Sequence, residues 1–172
     1  MNPFVDTQKR SIELPFGCKE LADVLGKTNR EPDSKHRWKL LNGLQETERY
    51  LAGLLLKPET LSYLDINLTH TPHRLQLLPV RGQLCILLSV DGTDKGRLSR
   101  IRRFFRDAEI SPVVDAIRSV SVVSETSSRI LIYPLPVVAP DAAELITQVI
   151  REGFGIADDA PLYITSNEQS VT

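Results

Sequence analysis

Four arginines, Arg100, Arg102, Arg103 and Arg106, crowd one short stretch of this chain. From Asp94 to Arg106 there are six basic residues and one acid. At ~100° per residue, Leu98, Ile101, Phe104, Phe105 and Ala108 gather on one arc of a helix and the arginines spread over the other side. The spacing therefore predicts a helix over 94–109 that buries its apolar arc and presents guanidinium groups. A guanidinium fork pairs in two-point fashion with a carboxylate or a phosphate. No aromatic stands on the basic side, so bases have nothing to stack on, and carboxylates of a protein are the favoured partners. From Pro134 to Thr172 there are six acids and one base, Arg151, so this C-terminal third supplies such carboxylates. Binding of phosphate or nucleic acid through the same helix is the alternative. Each phosphate contact would then make affinity fall with salt.

Other constellations carry less chemistry. Thr69-His70-Thr71-Pro72-His73 brings two histidines together at a turn, with Asp65 as a third potential ligand or acid. A zinc site needs three or four ligands, and the spacing supplies two. A small enzyme built around His70 and His73 is the second alternative. Asp91-Gly92-Thr93-Asp94-Lys95-Gly96-Arg97 resembles a phosphate loop superficially, yet no Lys-Ser or Lys-Thr follows the second glycine. A strand-to-helix corner with Thr93 or Asp94 as cap explains it. No nucleophile elbow, metalloprotease helix or dinucleotide fingerprint occurs. The reading is a non-catalytic protein, with no metal and no cofactor expected.

Composition is that of an ordinary globule: 172 residues, 41% hydrophobic, 25% charged, net charge −1. That balance excludes a chain drawn as a whole to nucleic acid or anionic lipid. No apolar run approaches a membrane span, and the first residues lack the order of a signal peptide. Cys18 and Cys85 are read as small buried hydrophobes rather than a disulfide or ligands. A cytoplasmic protein with no membrane contact is expected.

Positioning the arginines falls to the elements around them. Residues 1–33 read as an appended segment with a short helix (Cys18, Leu21, Leu25) and a polar linker. Residues 34–166 read as a single domain and 167–172 as a flexible tail. Asp33 or Ser34 caps a helix predicted to run to about Leu56, its stripe including Leu40, Leu41, Leu44 and Leu51. Leu61–Leu68 alternates as a strand. His73–Val80 and Gln83–Val90 form a hairpin about Arg81-Gly82, Pro79 demanding a bulge or an edge. In the second of these strands Cys85 and Leu87 give a half-apolar outer face suited to a partner. Ser111-Pro112 begins a short helical turn. Arg118–Val123 and Ser128–Tyr133 form a second hairpin. Ala139-Pro140-Asp141 starts a last helix, and Leu162–Thr165 offers an optional final strand.

From residue 34 the order is α-β-β-β-α-β-β-α, an α+β protein with helices on an antiparallel twisted sheet. That order is similar to the type III secretion chaperone-like fold. It implies a frequently dimeric protein that holds other proteins. No motif carries the resemblance, so no functional residue is transferred by it. The functional expectation is a chaperone-like or adaptor module, a homodimer that binds another protein with an acidic surface.

Overall fold

The computed structural model describes residues 37–58, 61–68, 71, 73–119 and 127–168. The appended segment 1–33, Cys18, His70 and the end of the tail lie outside them. Among the described residues seven strands form one antiparallel sheet and three helices pack on it. In chain order these are β1 (Arg37–Asn42), α1 (Leu44–Leu54), β2 (Leu61–Leu68), β3 (Arg74–Val80), β4 (Gln83–Asp91), α2 (Lys95–Asp107), β5 (Val114–Ser119), β6 (Ser127–Pro134), α3 (Ala139–Gln148) and β7 (Pro161–Glu168). The sheet order is β1-β7-β2-β3-β4-β6-β5. The expected order is therefore present, flanked by two strands that pair with each other.

The front of the predicted first helix is the main correction. Residues 37–42 are strand β1, and Leu40 and Leu41 point to opposite faces instead of sharing a stripe. Gly43 makes the break. Its φ of 101° suits no ordinary helical residue, and a Cβ there would sit 2.7 Å from the Asp158 carbonyl oxygen. The Glu46 carboxylate then accepts from the Asn42 N–H at 2.7 Å, which anchors the new helix start. At the other end of the chain the optional strand forms in full. β7 inserts between β1 and β2 and runs through Glu168, into the stretch assigned to the tail.

The β3–β4 hairpin forms as expected, with Arg81 and Gly82 both at positive φ, the conformation of a tight primed turn. Pro79 costs no ladder bond on the β2 side, because β2 pairs with β3 only as far as Leu77. The first arm of the second hairpin starts earlier than expected: β5 runs Val114–Ser119, positions 120–123 of the expected arm lie outside the described residues, and residues 111–113 form no helical turn. Val114 and Ala116 bury against Ile130 and Ile132, and that alternation draws the strand forward.

Two cores result. On one face Leu64, Ile66, Leu75, Leu77, Ile86, Leu88, Leu131 and Ile164 meet the apolar sides of all three helices. Phe105 of α2 stacks flat on Tyr133 of β6, ring centroids 3.6 Å apart. α1 packs on α3, and α2 packs on the widened, π-helical turn Val149–Gly153 that ends α3. On the other face Leu78, Val80, Cys85, Leu87, Val114, Ala116, Ile130 and Ile132 form a second cluster. Cys85 and Leu87, expected to offer a surface to a partner, are buried there.

Candidate anion-binding cleft

α2 is positioned by a corner that uses up its own polar groups. The Asp91 carboxylate accepts from the Thr93 N–H at 2.8 Å and the Thr93 hydroxyl at 2.7 Å. Those bonds hold its carboxyl below the usual carboxylate range. Asp94 is the cap, accepting from the Arg97 N–H at 3.0 Å. Gly92 lies against the start of β6, donating to the Ser127 carbonyl at 2.9 Å. A Cβ on Gly92 would sit 2.8 Å from the Ser127 hydroxyl oxygen. The N–H groups of Asp94, Lys95 and Leu98 go to the carbonyls of Asp91, Thr93 and Asp94. A phosphate loop needs free amides converging on the ligand, and here they are spent on the turn.

The helix that follows buries Leu98, Ile101 and Phe105 and half-buries Phe104, while Ala108, expected on the same arc, is exposed. Its basic side overhangs the β5–β6 end of the sheet. Between them opens a cleft of about 570 Å³ lined by Lys95, Arg102, Arg103 and Arg106 of α2, Ile117 of β5, and Ser127 and Arg129 of β6. Three of the four expected arginines are thus brought together. Arg100 is exposed on α2 and does not line the cleft. Lys95 and Arg129 join it. Arg129 was invisible as a site residue in the sequence, because its place depends on β6 pairing between β4 and β5.

One carboxylate organises the floor. Asp115 of β5 accepts from Arg102 Nε and Nη2 at 2.9–3.2 Å and from Arg129 Nε at 2.5 Å. The carboxylate that the Arg face meets inside the chain therefore comes from the second hairpin, not from the C-terminal third. There Asp158 pairs with Arg151 at 2.6 Å. Among the described residues Arg106 has only Asp107, at 3.9 Å with both side chains exposed, a pair that contributes little. Lys95, Arg100 and Arg103 have no carboxylate partner among the described residues. Among the described residues the cleft thus sets five cations against one acid, Asp115, and Lys95, Arg103 and Arg106 line it without a strong carboxylate partner.

Of the histidine alternative, His70 lies outside the described residues, and His73 and Asp65 lie within them. His73 is buried on the helix face, its ring 5.5 Å from Phe154, and burial followed by the nearby Arg97 charge lowers its pKa. Asp65 points to the opposite face, where it accepts from Arg74 Nη2 and Gln76 Nε2, each at 2.6 Å. These two members of the predicted site cannot act on one ligand. Cys85 is a buried thiol whose pKa is pushed up to about 11 by burial, which suits packing and not nucleophilic or ligand chemistry.

No helix of the described residues is long and apolar enough to cross a membrane. Comparison with family models, with curated proteins and with solved structures returned no match to this chain.

Proposed function

We propose that this chain is a non-catalytic protein-interaction module, an adaptor or chaperone-like protein of the cytoplasm, that grips an acidic partner through the cleft between α2 and the β5–β6 end of the sheet. The observation that carries it is the imbalance of that cleft, with Lys95, Arg103 and Arg106 lacking a strong carboxylate partner among the described residues. Guanidinium groups in such a cleft favour two-point capture of carboxylates. Among the described residues its walls are aliphatic and basic, with no ring for a base to stack on, which favours protein acids over single-stranded nucleic acid.

Self-association belongs to the same proposal and draws on another region. Trp38 is 71% exposed, and Leu40 and Tyr163, directly opposite each other on β1 and β7, are each 40% exposed. Exposed large side chains gathered on neighbouring strands suit an interface.

The cleft is tested with Arg103→Gln/Arg106→Gln, which leaves the Asp115 network in place. Wild type is expected to bind poly-L-glutamate at low salt, with affinity falling as salt rises. The double variant is expected to lose about tenfold, equivalent to ~1.4 kcal/mol. Equal binding by variant and wild type overturns the reading. Binding of duplex DNA with a steep salt slope, and none of polyglutamate, replaces it with the phosphate reading.

A further inference from the structure

The cleft is not a closed bowl, because one of its walls is a sheet edge. β5 is the last strand in the sheet order, and among the described residues nothing pairs with its outer side. In an antiparallel pair alternate residues direct their N–H and C=O groups away from the partner strand, so an edge presents a row of unused donors and acceptors. Asp115 and Ile117 point to the helix face of β5, toward the cleft, while Val114 and Ala116 point to the other face, into the second core cluster. Ile117 is half-exposed and forms part of the cleft wall beside Arg102, Arg103 and Arg106.

Resting on the acidic-partner reading above, we infer that the partner binds as an extended acidic segment that adds a strand to the outer edge of β5, with every second side chain a glutamate reaching up to Arg103 and Arg106. The geometry of a sheet fixes the pattern. Residues of the added strand opposite Asp115 and Ile117 project to the helix face and meet the basic wall of the cleft. Residues opposite Val114 and Ala116 project to the far face, beside buried small and branched side chains, and are therefore small or apolar. Glutamate is favoured over aspartate at the helix-facing positions, since its methylenes cover Ile117 while its carboxylate reaches the guanidinium groups. Backbone bonds to the edge supply affinity and the alternate side chains supply specificity, as in strand addition generally. Asp115 adds a filter. A charge aimed at the helix face of an edge strand disfavours indiscriminate pairing with apolar strands, and here it is matched by Arg102 and Arg129.

The test uses the full chain and two capped heptapeptides of one composition, one alternating glutamate with valine and the other with its glutamates and valines in separate blocks. Strand addition predicts that the alternating peptide binds about tenfold more tightly and that outward-facing amide protons of residues 114–119 become slow to exchange when it is bound. N-methylation at alternate residues of that peptide, in the phase that faces β5, is expected to abolish binding, and in the other phase to leave it. Equal affinity of the two orders with no new protection on β5 overturns strand addition and leaves a simple charge cleft. No binding of either peptide overturns it together with the acidic-partner reading.

Discussion

Among the described residues the two edges of this sheet carry the same unpaired backbone and opposite side chains. At one, β1 shows Trp38 and Leu40 on the outer face, while Lys39, pointing to the helix face, lies 4.6 Å over the Tyr50 ring of α1. At the other, β5 shows an aspartate bridged by two arginines beneath a basic helix. The first edge exposes two large apolar side chains on one face, which suits burial against a flat partner surface. The second is charged and roofed, which suits a narrow, acidic occupant. On the function proposed above, self-association falls to one end of the sheet and ligand capture to the other. The contrast also teaches that an edge strand is specified by the side chains beside it, since the hydrogen-bonding groups are alike.

The largest expected effect lies beneath the β5 end. Phe105 holds α2 over the sheet by stacking on Tyr133 and is fully buried. Phe105→Ala removes that contact and leaves a cavity, so unfolding free energy is expected to fall by about 3–5 kcal/mol in urea denaturation. If the edges are separate in function, the variant at permissive temperature loses affinity for polyglutamate yet keeps its oligomeric state. Loss of both together would break the comparison.

The reciprocal variant is milder. Trp38→Ser with Leu40→Ser deletes exposed surface, so monomer stability is expected to change by no more than about 0.5 kcal/mol. Light scattering at high micromolar concentration is expected to show a dimer for wild type and a monomer for the variant, with polyglutamate affinity unchanged. A wild-type chain that is monomeric under those conditions removes the role given to the β1 end.

Much of this was legible in residue pattern, and the rest failed for identifiable reasons. The α2 helix, its buried Leu98, Ile101 and Phe105, and the β3–β4 hairpin follow from periodicity and from the turn at Arg81-Gly82. β1 was misread because Leu40, Leu41 and Leu44 fit a helical stripe as well as a strand, and its pairing with β7 lies more than a hundred residues away. The signals that decide it are local but small: Gly43 at the boundary and Glu46 reaching back to Asn42. Of the cleft, the α2 arginines were visible as a cluster. Asp115 and Arg129 were not, because they join it only through the β5–β6 pairing, and Arg100 was included because a helix drawn alone does not show which part of its polar side overhangs a neighbour.

The smallest effect concerns the N-terminal start of α2, where His73 meets Phe154 and stands near Arg97. Burial and the Arg97 charge lower its pKa, with Asp94 and Asp91 opposing weakly. A lowered folded-state pKa means that the unfolded chain takes the proton first as pH falls below about 6.5, the ordinary histidine value. Stability contributed by neutral His73 is therefore full above that value. It is lost as pH falls from there toward the folded-state pKa, below which the loss is complete. His73→Phe keeps a ring against Phe154 and removes the proton. Urea denaturation at about pH 5 and about pH 7.5 is expected to show a smaller stability difference for the variant than for wild type, with polyglutamate affinity at the higher pH unchanged. An identical difference in the two proteins would show that the charge on His73 is not felt in the fold. A change in affinity would show that the histidine end of α2 communicates with the cleft, and the division between sheet edges would have to be redrawn along the helix.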